Sequence, residues 1–336
     1  MHRELKAAGF ERAASDHVIF DPASAGRVVG RLVAEGYSDE LRERRYVIVD
    51  GVDGRTHYVE LGVWNADDAL LVRNAIIEVR AREIAPRPVD RTIAEIASGN
   101  HGLYSIGLHC AADPGASAEF VQTHIRRLEA MRRQGLAERL ADGEWRVGLD
   151  HLDQAARFAE TNRLQRPVRM TVLSWRNLEA LPGAVGATWL DRQLVAKAPE
   201  TAAPTGMGSE VGSALRARRQ WLLDQGLARE QSGRIAYARN LLQTLERREL
   251  AEVAARIAGE TGLGYAEINQ GDRPSGTYRR MLTLNSGRFA LIERAHDFTL
   301  VPWRPVLERA KGQSVTGIVG GEGISWSIGQ KRSLGL

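Results

Sequence analysis

The run Gln134-Gly135-Leu136-Ala137 returns 91 positions later as Gln225-Gly226-Leu227-Ala228, each time where an arginine-rich helical pattern gives way to a short strand-turn-strand pattern. A repeated unit has the same face to bury in each copy, so the two stretches are expected to fold alike.

In copy one, residues 90–97 read as a short helix, with Asp90 as its N-cap and Gly99-Asn100 as its stop. A second helix is expected after the Asp113-Pro114-Gly115 turn, with Ser117 as N-cap, running to about residue 134. Phe120, Val121, Ile125, Leu128 and Met131 share one stripe at helical spacing and should face a core. The opposite face carries Gln122, Thr123, Arg126 and Arg133. Gly135 suits the left-handed conformation that ends a helix. Beyond it, residues 136–140 and 144–147 flank Asp142-Gly143, a two-residue hairpin signal. Helix, helix, then a hairpin with a basic tip is the order of a winged helix-turn-helix.

Copy two is thinner. Residues 187–194 stand for the short helix, 198–208 for a loop, 209–225 for the long helix, and 227–231 with 234–237 for a hairpin around Ser232-Gly233. In register, Arg126 meets Ala217 and Leu128 meets Arg219, which leaves Arg216 and Gln220 on the exposed face. Copy one is therefore the one expected to reach into a nucleic-acid groove. Gln122, Thr123 and Arg126 are types that read base edges, while Arg132, Arg133, Arg139 and Arg146 suit backbone phosphates. Arg216, Gln220 and Arg234 are the counterparts in copy two. Arginines in a last helical turn also favour the helix dipole with no ligand, and modules of this kind also dock proteins.

The two ends read as β. Strands are expected over residues 18–20, 26–33, 46–49 and 57–61, with the last two joined by a hairpin at 50–54, where Asp50 and Asp53 serve the turn. A helix or mixed segment follows over 67–82, and Pro86 and Pro88 mark a boundary. After copy two, residues 240–259 form an amphipathic helix whose Leu250, Val253, Ala254 and Ile257 make an i, i+3, i+4, i+7 stripe. Further strands are expected over 277–284, 288–293, 298–303 and on both sides of Gly320-Gly321-Glu322-Gly323. Pro305 opens a short helix through Ala310 that Gly312 closes. The glycine-rich turn joins two strands and lacks a following Lys-Ser/Thr, so it reads as a hairpin instead of a phosphate loop. The expected fold is α+β and multi-domain: small β-barrel-like modules at both ends flanking two winged-helix-like repeats. The divisions fall at 1–85, 86–160, 161–238 and 239–336.

A chain of 336 residues is long enough for two to four cores. Its single cysteine, Cys110, permits no internal disulfide, and no run reaches the roughly 18 apolar residues that cross a membrane. The amino terminus leads into no apolar stretch, so a cytoplasmic location without membrane partners is expected. Net charge is +4 with pI near 9.4, and nearly all basic residues are arginine, which suits phosphate contacts. That small surplus does not establish a polyanion partner alone. The eight histidines include no His-x-His, and the densest group, His101, His109 and Cys110, has no metal-ligand spacing. Tyr46, Tyr58 and Tyr278 read as strand residues. With no nucleophile elbow, Walker loop, zincin or dinucleotide fingerprint, neither an active site nor a cofactor is expected.

Several strings nevertheless resemble one family in order along nearly the whole chain. They are Gly186-Ala187-Thr188-Trp189-Leu190-Asp191-Arg192-Gln193-Leu194, Ser275-Gly276-Thr277-Tyr278-Arg279-Arg280, Ser286-Gly287-Arg288-Phe289-Ala290, Leu300-Val301-Pro302-Trp303-Arg304-Pro305 and Ile324-Ser325-Trp326. Ala116-Ser117-Ala118-Glu119-Phe120 and Arg126-Arg127-Leu128-Glu129 fit the same pattern. Together they resemble the carboxy-terminal region, of unknown function, of relaxase/mobilisation nucleases of the T-DNA border endonuclease type. The resemblance implies enzymes that nick one DNA strand at a transfer origin with a tyrosine nucleophile and a metal held by a His-x-His pair and a third histidine. That nuclease domain precedes this region in the family and is expected to be missing here. The implied role is therefore non-catalytic: DNA binding near a transfer origin and assembly with a relaxase or other relaxosome proteins in plasmid mobilisation. Two alternatives stand beside it: a winged-helix transcriptional regulator binding its promoter as a dimer, and a protein-docking scaffold that ignores DNA.

Overall fold

The computed structural model describes residues 13–24, 26–41, 43–63, 72–269, 271–320 and 323–328. Five strands open it: β1 (His17–Ile19), β2 (Arg27–Asp39), β3 (Arg44–Gly51), β4 (Thr56–Val63) and β5 (Ile76–Ala81). In β3 Val47, Ile48 and Val49 are all fully buried, so both faces of this strand are covered. The β3 to β4 connection is the expected hairpin, closed where Asp50 stands opposite Thr56. β5 replaces the helix or mixed segment expected over 67–82. Its Ile76, Ile77 and Val79 find a partner strand in β2, from Arg27 opposite Arg80 to Arg31 opposite Ile76, and that pairing outweighs local propensity. Residues 67–71 lie outside the described residues.

Copy one follows as α1 (Pro88–Ser98), β6 (Leu103–Tyr104), α2 (Ile106–Ala112), α3 (Ala118–Arg132), β7 (Glu138–Arg139) and β8 (Trp145–Arg146). The three short strands pair in the order β6, β8, β7, so the last strand closes back onto the one between the first two helices. Ile93, Ala97, Tyr104, Leu128, Trp145 and Val147 form the core. Asp142 and Gly143 both have positive φ, 59° and 78°, as a two-residue hairpin turn requires.

Next come α4 (His151–Gln165) and β9 (Val168–Ser174), and β9 pairs antiparallel with β5. The first sheet therefore runs β1, β4, β3, β2, β5, β9, and copy one sits between two adjacent strands. The division expected along the chain assigns residues 168–174 to copy two; the strand instead extends the first sheet.

Copy two consists of α5 (Trp189–Val195), α6 (Gly206–Asp224), β10 (Ala228–Gln231) and β11 (Arg234–Tyr237). Met207, Val211 and Ala214 of α6 pack with Trp189 and Leu190 onto Val29 and Ile76 of the first sheet and Val52 of the β3–β4 turn. Gly226 is left-handed like Gly135, with φ of 67° and 73°. Ser232 and Gly233 repeat the positive-φ turn. The helix α7 (Leu241–Thr261) ends on left-handed Gly262.

The last sheet contains β12 (Gly264–Tyr265), β13 (Ser275–Thr283), β14 (Arg288–Glu293), β15 (Asp297–Pro302), β16 (Ser314–Gly320) and β17 (Gly323–Ile328). Its order is β12, β15, β14, β13, β16, β17. Along β14 the side chains alternate: Phe289 and Leu291 meet Val253, Ala254 and Ile257 of α7, while Ala290 and Ile292 join Leu307, Val315 and Trp326 on the other face. Gly320 stands opposite Gly323, so the glycine-rich turn is a hairpin, with residues 321–322 outside the described set.

The molecule is thus α+β. The barrel-like modules expected at its ends are open sheets: among the described residues neither pair of edge strands, β1 with β9 or β12 with β17, is joined. Each sheet has a helical layer to cover a face, so closure is not needed to bury it.

Candidate nucleic-acid interface

Ser117 caps α3 as expected, its hydroxyl accepting the Phe120 N–H at 3.2 Å. Val121, Leu128 and Met131 are buried and Ile125 is partly buried. Phe120 departs from the stripe: it is 49% exposed. The cause is α2, which sequence reasoning missed. It places His109 beside the first turn of α3, and the Phe120 ring packs edge to face on the His109 and His124 rings, at 5.8 and 4.8 Å, and stays half exposed.

Tyr104, His109 and His124 are tightly matched. Tyr104 Oη and His109 Nδ1 share a hydrogen bond of 2.7 Å, and the His109 and His124 rings meet edge to face at 4.6 Å. His124 Nδ1 lies 2.9 Å from the Phe120 carbonyl; only a protonated Nδ1 can donate there. Burial, and then His124, holds the His109 imidazole below its ordinary range, so it is neutral near pH 7. Burial pushes the Tyr104 phenol up. Cys110 is exposed on the same helix, and among the described residues no group of three or more His, Cys, Asp or Glu is placed to hold a metal.

One inward arginine fixes the helix. Arg127 donates from Nε and Nη2 to the two oxygens of buried Asp90, at 2.8 and 2.9 Å, and lies over the Phe158 ring. Asp90 is not the N-cap. The helix starts earlier, at Pro88, and the Asp90 carboxylate reaches back to the Arg87 N–H at 2.8 Å. Copy two repeats the device. Arg218, 91 positions after Arg127, donates twice to Asp191 at 2.8 Å, and Asp191 accepts the Thr188 N–H at 2.7 Å. The capping pattern Thr188-x-x-Asp191 and the repeat offset were the signals that could have found this pair.

With that face held inside, Gln122, Thr123, Arg126, Arg132 and Arg133 all lie exposed on α3, and Arg139 and Arg146 lie exposed on the hairpin. Arg132 is paired to Glu129 at 2.6 Å and Arg146 to Glu138 at 3.0 Å. Arg139 rests over Trp145. Arg126 and Arg133 form no ion pair among the described residues. In copy two, Arg216, Gln220 and Arg234 line one groove of about 800 Å³ between α5, α6 and the β10–β11 hairpin, with Arg219 and Glu230. Arg219, which replaces buried Leu128, crosses to the hairpin and donates to the Tyr237 hydroxyl at 3.3 Å.

A family model described as "Protein of unknown function (DUF3363)" matches residues 1–335. The chain belongs to that family. No curated protein and no solved structure matches it. Among the described residues of this DUF3363 chain, no helix is long and apolar enough to cross a membrane.

Proposed function

We propose that this chain is a DNA-binding, non-nicking component of conjugative plasmid mobilisation, gripping duplex DNA through copy one. The observation that carries the reading is the element order of copy one. Helix, strand, helix, helix, strand, strand, with the last strand paired to the first, is the order of a winged helix. On that reading α3 is the recognition helix and β7–β8 the wing.

The chemistry of α3 supports this assignment. Its outer face offers Gln122 and Arg126, which can bond bidentately to adenine and guanine edges in the major groove. Arg133 and the wing residues Arg139 and Arg146 would contact phosphates and fix the register. The Arg127 to Asp90 pair takes one arginine inward and Glu129 and Glu138 engage Arg132 and Arg146, while Arg126 and Arg133, with no ion pair among the described residues, are left for a polyanion. Copy two gives its α6 face to the first sheet, so it serves as a scaffold and secondary contact. The resemblance to relaxase carboxy-terminal regions supplies the setting, a transfer origin and relaxosome partners.

The test is duplex binding measured by gel shift over rising salt. Arg126→Ala with Arg133→Ala should weaken binding about ten-fold or more and make the slope of log K against log salt shallower by about 1.8. Binding that ignores salt, or is indifferent to both substitutions, would remove the reading.

A further inference from the structure

Three arginines stand in a row across three neighbouring strands of the first sheet. Arg27 on β2 is directly opposite Arg80 on β5, and Arg80 is directly opposite Arg169 on β9. Like charges at directly opposed positions destabilise a sheet, so such a row needs anions nearby. The protein supplies them for two of the three. Glu78 accepts from Arg27 at 3.1 Å and from Arg80 at 2.7 Å, and Glu200 also pairs with Arg27. Arg169, exposed on the edge strand, has no carboxylate partner among the described residues.

The row borders a groove of about 800 Å³ that runs from the β5–β9 edge to the start of α1. Arg80, Arg82, Arg87 and Arg169 line it, with Glu78 and Glu83. The Arg82 guanidinium is held by the Arg166 carbonyl at 3.1 Å, and Arg87 is exposed at the mouth of α1.

We propose that this groove holds the sugar-phosphate backbone of one nucleic-acid strand. The proposal takes the class of polymer from the reading above and the place from the arginine row. Arginine forks match phosphate oxygens bidentately. A concave channel admits one strand, whereas a duplex is met by the protruding helix and hairpin of copy one. No aromatic side chain lines the groove, so bases cannot stack there. Binding should therefore be indifferent to sequence and steep in salt.

Fluorescence anisotropy of the full chain with a labelled oligothymidylate of about 20 nucleotides tests it. Arg87→Gln with Arg169→Gln should weaken binding about ten-fold or more, and flatten the salt slope by about 1.4. The melting temperature should hold or rise, because repulsion in the row is relieved. Glu83→Gln, which removes an opposing charge, should tighten binding several-fold. Wild-type binding that neither change alters overturns the groove and leaves the α3 reading intact. Duplex binding without oligothymidylate binding also overturns the groove alone. Binding to neither overturns both.

Discussion

Arg218 and Asp191 meet inside the protein through two N–H to carboxylate bonds of 2.8 Å each, with both side chains fully buried. The same pair recurs as Arg127 with Asp90. In each copy the aspartate also caps its own short helix, so one carboxylate fixes both where that helix starts and how the long helix crosses it. A buried charge left without its partner is costly. Arg218→Met should destabilise the protein by about 3–5 kcal/mol in urea titration, and adding Asp191→Leu should restore much of the loss. Simple additivity of the two substitutions would show that the pair is not coupled.

Glu249 on α7 should also prove sensitive, though less so. Its carboxylate accepts the Asn285 and Ser286 N–H groups at 2.8 and 2.9 Å, and the Ser286 hydroxyl accepts the Ala187 N–H at 2.9 Å. This junction ties the last sheet to copy two. Glu249→Ala leaves buried donors unmet and should cost about 2–3 kcal/mol, seen as early hydrogen exchange in β13 and β14. A β13–β14 turn that stays as protected as in the wild type would contradict this.

Acid should loosen copy one first. Burial lowers the affinity of His109 and His151 for a proton below the ordinary value of 6.5. The unfolded chain then takes up protons before the folded one, so stability is complete above about pH 6.5 and falls as pH drops below it. Neighbouring groups modify the effect: His124 and Arg127 oppose protonation, while Asp113, Asp90 and Asp150 favour it. Urea midpoints should fall between pH 7.5 and 5, and His109→Gln should flatten that dependence. Identical profiles for wild type and variant would exclude His109 as a source.

On DNA, the two classes of contact should separate. Gln122→Ala should relax preference at one base pair by about 1–3 kcal/mol, while Arg139→Ala should weaken all sequences about equally. Competition against a randomised duplex pool distinguishes these outcomes, and a uniform loss from Gln122→Ala would deny it a base.

Much of this was legible in the chain. The hairpins at 142 and 232 were readable because a two-residue turn demands positive φ, which Asp-Gly and Ser-Gly supply at low cost. The last sheet was readable because Phe289-Ala290-Leu291-Ile292 lies between turn signals, and its alternating faces both fill. Three things were hidden for physical reasons. α2 is one short helix holding Gly107 and a polar core residue, His109, so it has no apolar stripe. β9 carries Arg169 and Thr171 and becomes a strand only through β5, which lies far back in the sequence. Phe120 matched the helical period, yet its ring packs on histidines that looked scattered and stays half exposed.

Copy one leaves the first sheet at β5 and returns at β9, which is the neighbouring strand. The ends of that excursion are thus stapled side by side, and the sixth strand can dock only after the 86 intervening residues, 82–167, have been made and drawn together. As the chain is synthesised, β5 waits as a bare rim, and the maturation of copy one sets when the sheet is sealed.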